Sequence, residues 1–326
     1  MTQQEQQKIS NGVNEELQGS DPERVGPEKD KKNYLLPVSI LVSVVIIAGT
    51  WIYTSGLNRQ KESEQIQSQS RESAVNTLED KVAPPEGMVL PVRWGDLGKK
   101  LVDAGVIDPE KFGALYEKSG EVSRDIKQLL YGENNDNLRI TSENSGMVLN
   151  LLWALGLGVK NDILETGPMS DPRYGGAGNF ASTGGWTLAR GNAMNHYSRH
   201  PFIILNEEQQ TLVEDVSKNI YRPCCNNSTH FPDCNHGIAM LGLLELMASQ
   251  GVSEEEMYRV ALQVNAYWFP DTYLTIAKYL ESRGVAWDKS NPKELLGYNF
   301  SSGSGYRQIL SQVTAPVEKS SGSCGV

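Results

Sequence analysis

Cysteine and histidine are both scarce in this chain, with four of each among 326 residues. So few cysteines exclude a small disulfide-dense scaffold, in which bridges stand in for a hydrophobic core. Positive charge is also in deficit: 30 Lys and Arg face 40 Asp and Glu, a net charge of −10. No stripe of Lys and Arg interleaved with aromatics runs along the chain, so nucleic acid is not an expected partner. Several signatures are missing altogether. Without G-x-x-x-x-G-K-[ST] there is no phosphate-cradling loop, and without G-x-S-x-G no nucleophile elbow. The absence of H-E-x-x-H, C-x-x-C and C-x-x-C-H removes the metalloprotease, thioredoxin-type and covalent haem signatures.

Long apolar runs are rare too, with one exception. No charge occurs between Lys32 and Arg59, and roughly 20 apolar residues can cross a ~30 Å hydrocarbon core. Tyr34 at one end and Trp51 and Tyr53 at the other suit interfacial positions. The run is too long, and follows too long a polar tail, for a cleavable signal. Lys29, Lys31 and Lys32 on the N-terminal flank, against Arg59 and Lys61 beyond it, favour a cytoplasmic N-terminus. The expected organisation is a disordered cytoplasmic tail over 1–33, a transmembrane anchor over 34–54 and a polar stalk over 55–86. An extracytoplasmic helical domain over 87–315 and a flexible tail over 316–326 follow. The expected partner is thus the membrane, and the expected location is the cell membrane, with a single pass. Pro84-Pro85 marks the boundary between stalk and domain.

Within the domain the reading is mainly α, one compact multi-helix unit. Short amphipathic segments are expected over Asp96–Ala104, Pro109–Lys118 and Ser123–Leu130. Met147–Leu155 and Ile238–Met247 are apolar nearly all round and should be buried helices. Asn206 and Ser253 sit as caps before helices that run to Ile220 and towards Trp268. Pro270 forces a break before the next helix, and Gly303–Val313 forms a last one. Phe202–Leu205 is the one β-rich run, too short to define a sheet.

What little cysteine and histidine there is gathers in one place. The stretch from Arg222 to Gly237 contains Cys224, Cys225, Cys234, His230 and His236, just before the apolar Ile238 helix. Thiolate and imidazole are transition-metal ligands, suited to zinc first and reduced copper second. Asp233 or Asn235 can cap that helix, placing Cys234 and His236 at its first turn, where the dipole favours a thiolate. The expected ligands are Cys224 or Cys225, Cys234 and His236, with His230 and His196 as candidates to complete the shell. Adjacent cysteines seldom share one tetrahedral ion, so one of Cys224 and Cys225 should be spare. His196 and His200 are four apart, but Pro201 disfavours helical geometry at His200.

Two other readings compete. Disulfides pairing Cys225 with Cys234 and Cys224 with Cys324 would staple an extracellular recognition domain, the short loop contributing roughly 2–3 kcal/mol. A strained vicinal bridge would instead make a thiol–disulfide redox protein. The glycine-rich stretch Tyr174–Trp186 reads as a flexible loop, or as a lid offering Ser182, Thr183 and Trp186. Tyr267, Trp268, Phe269 and Tyr273 read as core, or as a pocket wall.

Overall fold

The computed structural model describes residues 78–117 and 124–313. Strand β1 (Met88–Gly95) leads into helices α1 (Leu97–Asp103), α2 (Pro109–Glu117) and α3 (Arg124–Tyr131), then strand β2 (Asn135–Ile140). Helices α4 (Ser145–Gly158), α5 (Asp162–Glu165) and α6 (Glu207–Asn219) follow, with short 3₁₀ turns between α5 and α6. The second half is α7 (Asn235–Ser249), α8 (Glu254–Trp268), α9 (Pro270–Ser282), α10 (Pro292–Leu296), α11 (Tyr298–Ser301) and α12 (Gly303–Val313). The described chain is mainly helical, as its apolar periodicity leads one to expect.

Local signals place most of these helices. Asn206 and Gln209 form a reciprocal capping box at the start of α6. The Ser253 hydroxyl accepts from the Glu256 backbone N–H at the start of α8, and three glutamates in that first turn complement the dipole. Pro270 stands at the first position of α9, where its missing N–H has no intrahelical partner to lose.

At the centre, α4 packs lengthwise on α7. Both are apolar and almost wholly buried, and glycine lets their backbones approach. A Cβ on Gly242 would lie 2.6 Å from the Leu152 carbonyl oxygen, and one on Gly156 would overlap the Ile238 carbonyl oxygen. Helices α6, α8 and β1 close around this pair. The packing reaches back past Met88: Leu78 and Val82 are buried in the same core. Gln263 donates to the Val82 carbonyl and Tyr267 to that of Pro84.

The sheet is a finding that the sequence reading lacks. β1 and β2 pair antiparallel, with Met88 opposite Ile140 and Gly95 opposite Asn135. Leu90, Val92 and Trp94 alternate inward along β1. The Gln250 side chain extends this edge, accepting from the Arg93 N–H and donating to its carbonyl, both at 2.9 Å. Phe202–Leu205 forms no strand; Ile204 there is 81% exposed.

The anchor expectation is corrected. Among the described residues no helix is long and apolar enough to cross a membrane. The most apolar helices, α4 and α7, have 14 and 15 residues, short of the roughly 20 that a bilayer core demands. The membrane partner, the signal-anchor and the cell-membrane, extracytoplasmic location are therefore withdrawn. The segment 34–54, like the tails at 1–33 and 316–326, lies outside the described residues.

Glu245 is an anomaly in this core. It is fully buried in α7, and neither of its carboxyl oxygens has a hydrogen-bond partner. Burial drives its pKa well above the usual carboxylate range, and the nearby Asn161 side chain offsets only part of that. A pKa raised in the folded state means a contribution that is fully present below the unfolded value and lost as pH climbs towards the folded one. Glu245→Gln should therefore stabilise the protein at pH 8 by about 1–3 kcal/mol and flatten the loss of stability between pH 5 and 8. Thermal denaturation at both pH values measures it. Gly156→Ala should act oppositely, costing about 3 kcal/mol at any pH because it forces α4 and α7 apart; denaturant titration reads that loss.

Candidate metal centre

The Cys/His segment is held as a closed loop between α6 and α7. Tyr221 bridges to Ser228, and the Thr229 N–H and hydroxyl both donate to the Ile220 carbonyl. From the far side, the N-terminus of α12 clamps it: the Gly303 N–H donates to the Cys225 carbonyl and the Ser304 N–H to Asn226 Oδ1. Helix α7 starts at Asn235, and the residue at its N-cap is Cys234, between the two expected caps. The Cys234 side chain makes no capping bond, so its sulfur is free to face the loop.

There it meets its neighbours. Cys224 Sγ and Cys234 Sγ are 3.4 Å apart. With an imidazole nitrogen of His236 they form a set of three ligand atoms, all within 4.8 Å of one another. A second such set joins Cys225, Asp233 and the same Cys234. The first set is a Cys/His group that can hold a metal ion. Cys225 is otherwise engaged, its sulfur 3.8 Å from the Asn227 carbonyl oxygen and 3.7 Å from Asp233 Oδ1.

Beneath the sulfurs lies a side chain absent from the sequence reading. Arg222 is 1% exposed, and four acceptors surround its guanidinium. Nε donates to Cys234 Sγ at 3.0 Å, Nη1 to the Asn227 carbonyl at 3.0 Å, and Nη2 to the Phe231 carbonyl at 3.0 Å and Asp233 Oδ1 at 2.7 Å. Burial alone would lower its pKa, but the Cys234 thiolate and the Asp233 carboxylate raise it, so it stays charged. Gly237 makes room for it: a Cβ there would come within 2.6 Å of Nη2. Asn227 Nδ2 holds the other Asp233 oxygen at 2.9 Å.

This arrangement puts the negative charge on Cys234. Hydrogen bonds from Cys224 and Cys225 hold its pKa far below the usual thiol range. Burial opposes them, while a hydrogen bond from His236 and the charge of Arg222 add to the effect. Cys224 is raised in turn, by its hydrogen bonds with Cys225 and Cys234 and by burial. For Cys225 the bond with Cys224 lowers the value, but the bond to Cys234 and burial outweigh it and push the thiol up to about 11. Without metal, then, the negative charge of the cysteines rests on Cys234, at the mouth of a helix.

Aromatic rings wall the site. The His236 ring lies 4.4 Å from Phe269 and 5.7 Å from Trp268, centroid to centroid. His236 Nδ1 is buried and has no hydrogen-bond partner. Of the four clustered aromatics, Tyr267 and Tyr273 are core, while Trp268 and Phe269 line the histidine. The glycine-rich stretch packs against the other flank. Phe180 and Tyr174 contact Phe231, and the Ser182 N–H donates to the Asp233 carbonyl. Ser182, Thr183 and Trp186 are buried, with Trp186 Nε1 donating to the Val106 carbonyl; they support the fold rather than face solvent as a lid would.

The remaining histidines belong elsewhere. His230 Nδ1 is 3.4 Å from the Ser217 hydroxyl. His196 stacks on His200, with Nδ1 and Nε2 3.1 Å apart, and its own Nε2 lies 3.2 Å from the Arg190 carbonyl. Neither His196 nor His230 is in a ligand group with the cysteines. The disulfide expectation is corrected as well: Cys224, Cys225 and Cys234 are all free, and Cys324 lies outside the described residues. No family model matches the chain, and neither a curated protein nor a solved structure does.

Removing Arg222 should strand Asp233 and the Cys234 thiolate without their counter-charge. Arg222→Met is expected to cost about 3–5 kcal/mol, the range for breaking one side of a buried ion pair. Arg222→Lys should recover little of it, since an ammonium cannot reach four acceptors with a planar fork. Urea denaturation of both variants measures the loss.

Proposed function

We propose that this protein binds one transition-metal ion, zinc first and reduced copper second, through Cys224 Sγ, Cys234 Sγ and a ring nitrogen of His236. The observation that carries the reading is the convergence of those three ligand atoms within 4.8 Å. Their spacing supports an ion over a bridge. Tetrahedral bonds of about 2.0–2.3 Å place neighbouring ligand atoms roughly 3.3–3.8 Å apart, and the two sulfurs are 3.4 Å apart. A disulfide needs about 2.05 Å.

Ligand chemistry agrees. Two sulfurs and one imidazole suit zinc, and a sulfur-rich set also suits monovalent copper. Cys225 is the spare member of the vicinal pair, turned to Asp233 and Asn227. His230 and His196 are left out of the shell because each is bonded to other groups. Three protein ligands leave a fourth position for water on the side of Cys224, which is exposed.

The test is metal content of the purified full chain by elemental analysis. One ion per chain is expected, lost in Cys234→Ser and His236→Ala and kept in His230→Ala and His196→Ala. Unchanged metal in the first two variants would falsify the ligand assignment. Cobalt loading should give sulfur-to-metal charge-transfer absorption that disappears with Cys234. Affinity should rise with pH, because the Cys224 thiol, held protonated in the free site, must release its proton to ligate.

A further inference from the structure

We infer that the metal site is gated by oxidation: a peroxide joins Cys224 and Cys234 in a disulfide and expels the ion. This rests on the metal-binding reading above. Three observations lead to it. The sulfurs of Cys224 and Cys234 are already 3.4 Å apart, so bonding them requires an approach of roughly 1.4 Å. Cys224 is exposed while Cys225 and Cys234 are half-buried, so an oxidant arriving from solvent meets Cys224 first. Cys225, though next in sequence, turns its sulfur towards Asp233 Oδ1 and the Asn227 carbonyl.

The step balances with a peroxide as oxidant. The Cys224 sulfur attacks one peroxide oxygen; the O–O bond breaks, hydroxide leaves, and Cys224 becomes a sulfenic acid. The Cys234 thiolate then attacks the Cys224 sulfur, forming S–S as S–O breaks and a second hydroxide departs. The two thiolates lose two electrons. The peroxide gains them, takes two protons from solvent and becomes two waters. The ion keeps its charge and leaves, because His236 alone remains to hold it.

The surrounding structure survives that change. Of the acceptors around Arg222, the Asn227 carbonyl, the Phe231 carbonyl and Asp233 are untouched by oxidation. The guanidinium therefore loses one charged partner and stays buried among the others. A dithiol reductant regenerates both sulfurs within the same framework, and the ion returns.

The experiment uses the full chain loaded with zinc and exposed to hydrogen peroxide. Zinc release is followed with a chromogenic chelator, and the products by non-reducing peptide mapping. Release of the zinc should accompany loss of two thiols per chain and appearance of a Cys224–Cys234 cross-linked peptide, with dithiothreitol restoring zinc binding. Cys225→Ser should release zinc within about threefold of the parent rate, and Cys224→Ser should give no cross-link to Cys234. A chain that takes up no zinc before peroxide is added overturns the metal reading and this one with it. Zinc uptake followed by a bridge to Cys225 or Cys324, by sulfinic acid, or by oxidation with the zinc retained overturns this inference alone.

Discussion

Arg222 is the constraint around which the loop is organised. Moving a guanidinium out of water is expensive, and the burial is tolerable only with most of its donors matched. Here they are, by one thiolate, one carboxylate and two backbone carbonyls drawn from residues 227 to 234. Each acceptor fixes a different part of the loop, so the cation dictates the path of the chain from Asn227 to Asp233. The same fork sets the position and charge of Cys234. Glycine at 237 is the steric condition for all of it, since a side chain in the first turn of α7 would take the guanidinium's place.

Rigidity behind the loop comes from elsewhere. Helix α7 runs from the cysteine at its N-cap into the core, where Gly242 and Gly156 bring it against α4. A helix so tightly packed cannot swing its N-terminus, and its first-turn N–H groups and dipole favour the negative charge gathered there. Sulfur, carboxylate and imidazole thus stand on three supports: the α7 mouth, the Arg222 fork and the clamp from α12. The unpartnered Nδ1 of His236, walled in by Phe269 and Trp268, is the one polar atom of this set that folding leaves unsatisfied. A buried nitrogen without a partner costs free energy unless something binds it.

Much of this was legible in the residues alone. The crowding of scarce ligands just before an apolar helix located the site, and cap residues located helix starts at Asn206 and Ser253. Pro270 marked the start of α9 for a plain reason: it has no N–H to donate. The sheet was not legible, because β1 contains Pro91, which argues against a strand, and β2 reads Asn-Asp-Asn-Leu-Arg-Ile, poor in β-branched residues. Pairing with each other, burial of one face and the Gln250 amide override both signals. Arg222 was missed because a single arginine beside proline looks like any surface cation; only its acceptors, up to twelve residues on, give it meaning. Glu245 did have a signal, as the lone acid in an otherwise apolar run. The anchor expectation rests on apolar content at 34–54, outside the described residues, and the described helices bury their apolar faces against one another.

Cys234 belongs to both ligand groups, which raises the question of how many ions the cluster takes. The second group, Cys225 with Asp233 and Cys234, already encloses a cation, since the Arg222 fork touches Asp233 and Cys234. For Asp233 to turn towards a metal it would have to leave Arg222, stranding a buried guanidinium at a cost of several kcal/mol. A divalent ion placed there would also face the arginine's positive charge within a few ångströms, in a poorly screened interior. The first group leaves the Asp233–Arg222 pair intact and is open to solvent at Cys224, although Arg222 Nε touches its Cys234 sulfur too. On the metal-binding proposal, a single ion in the first group is therefore the filling that keeps the Arg222–Asp233 pair intact.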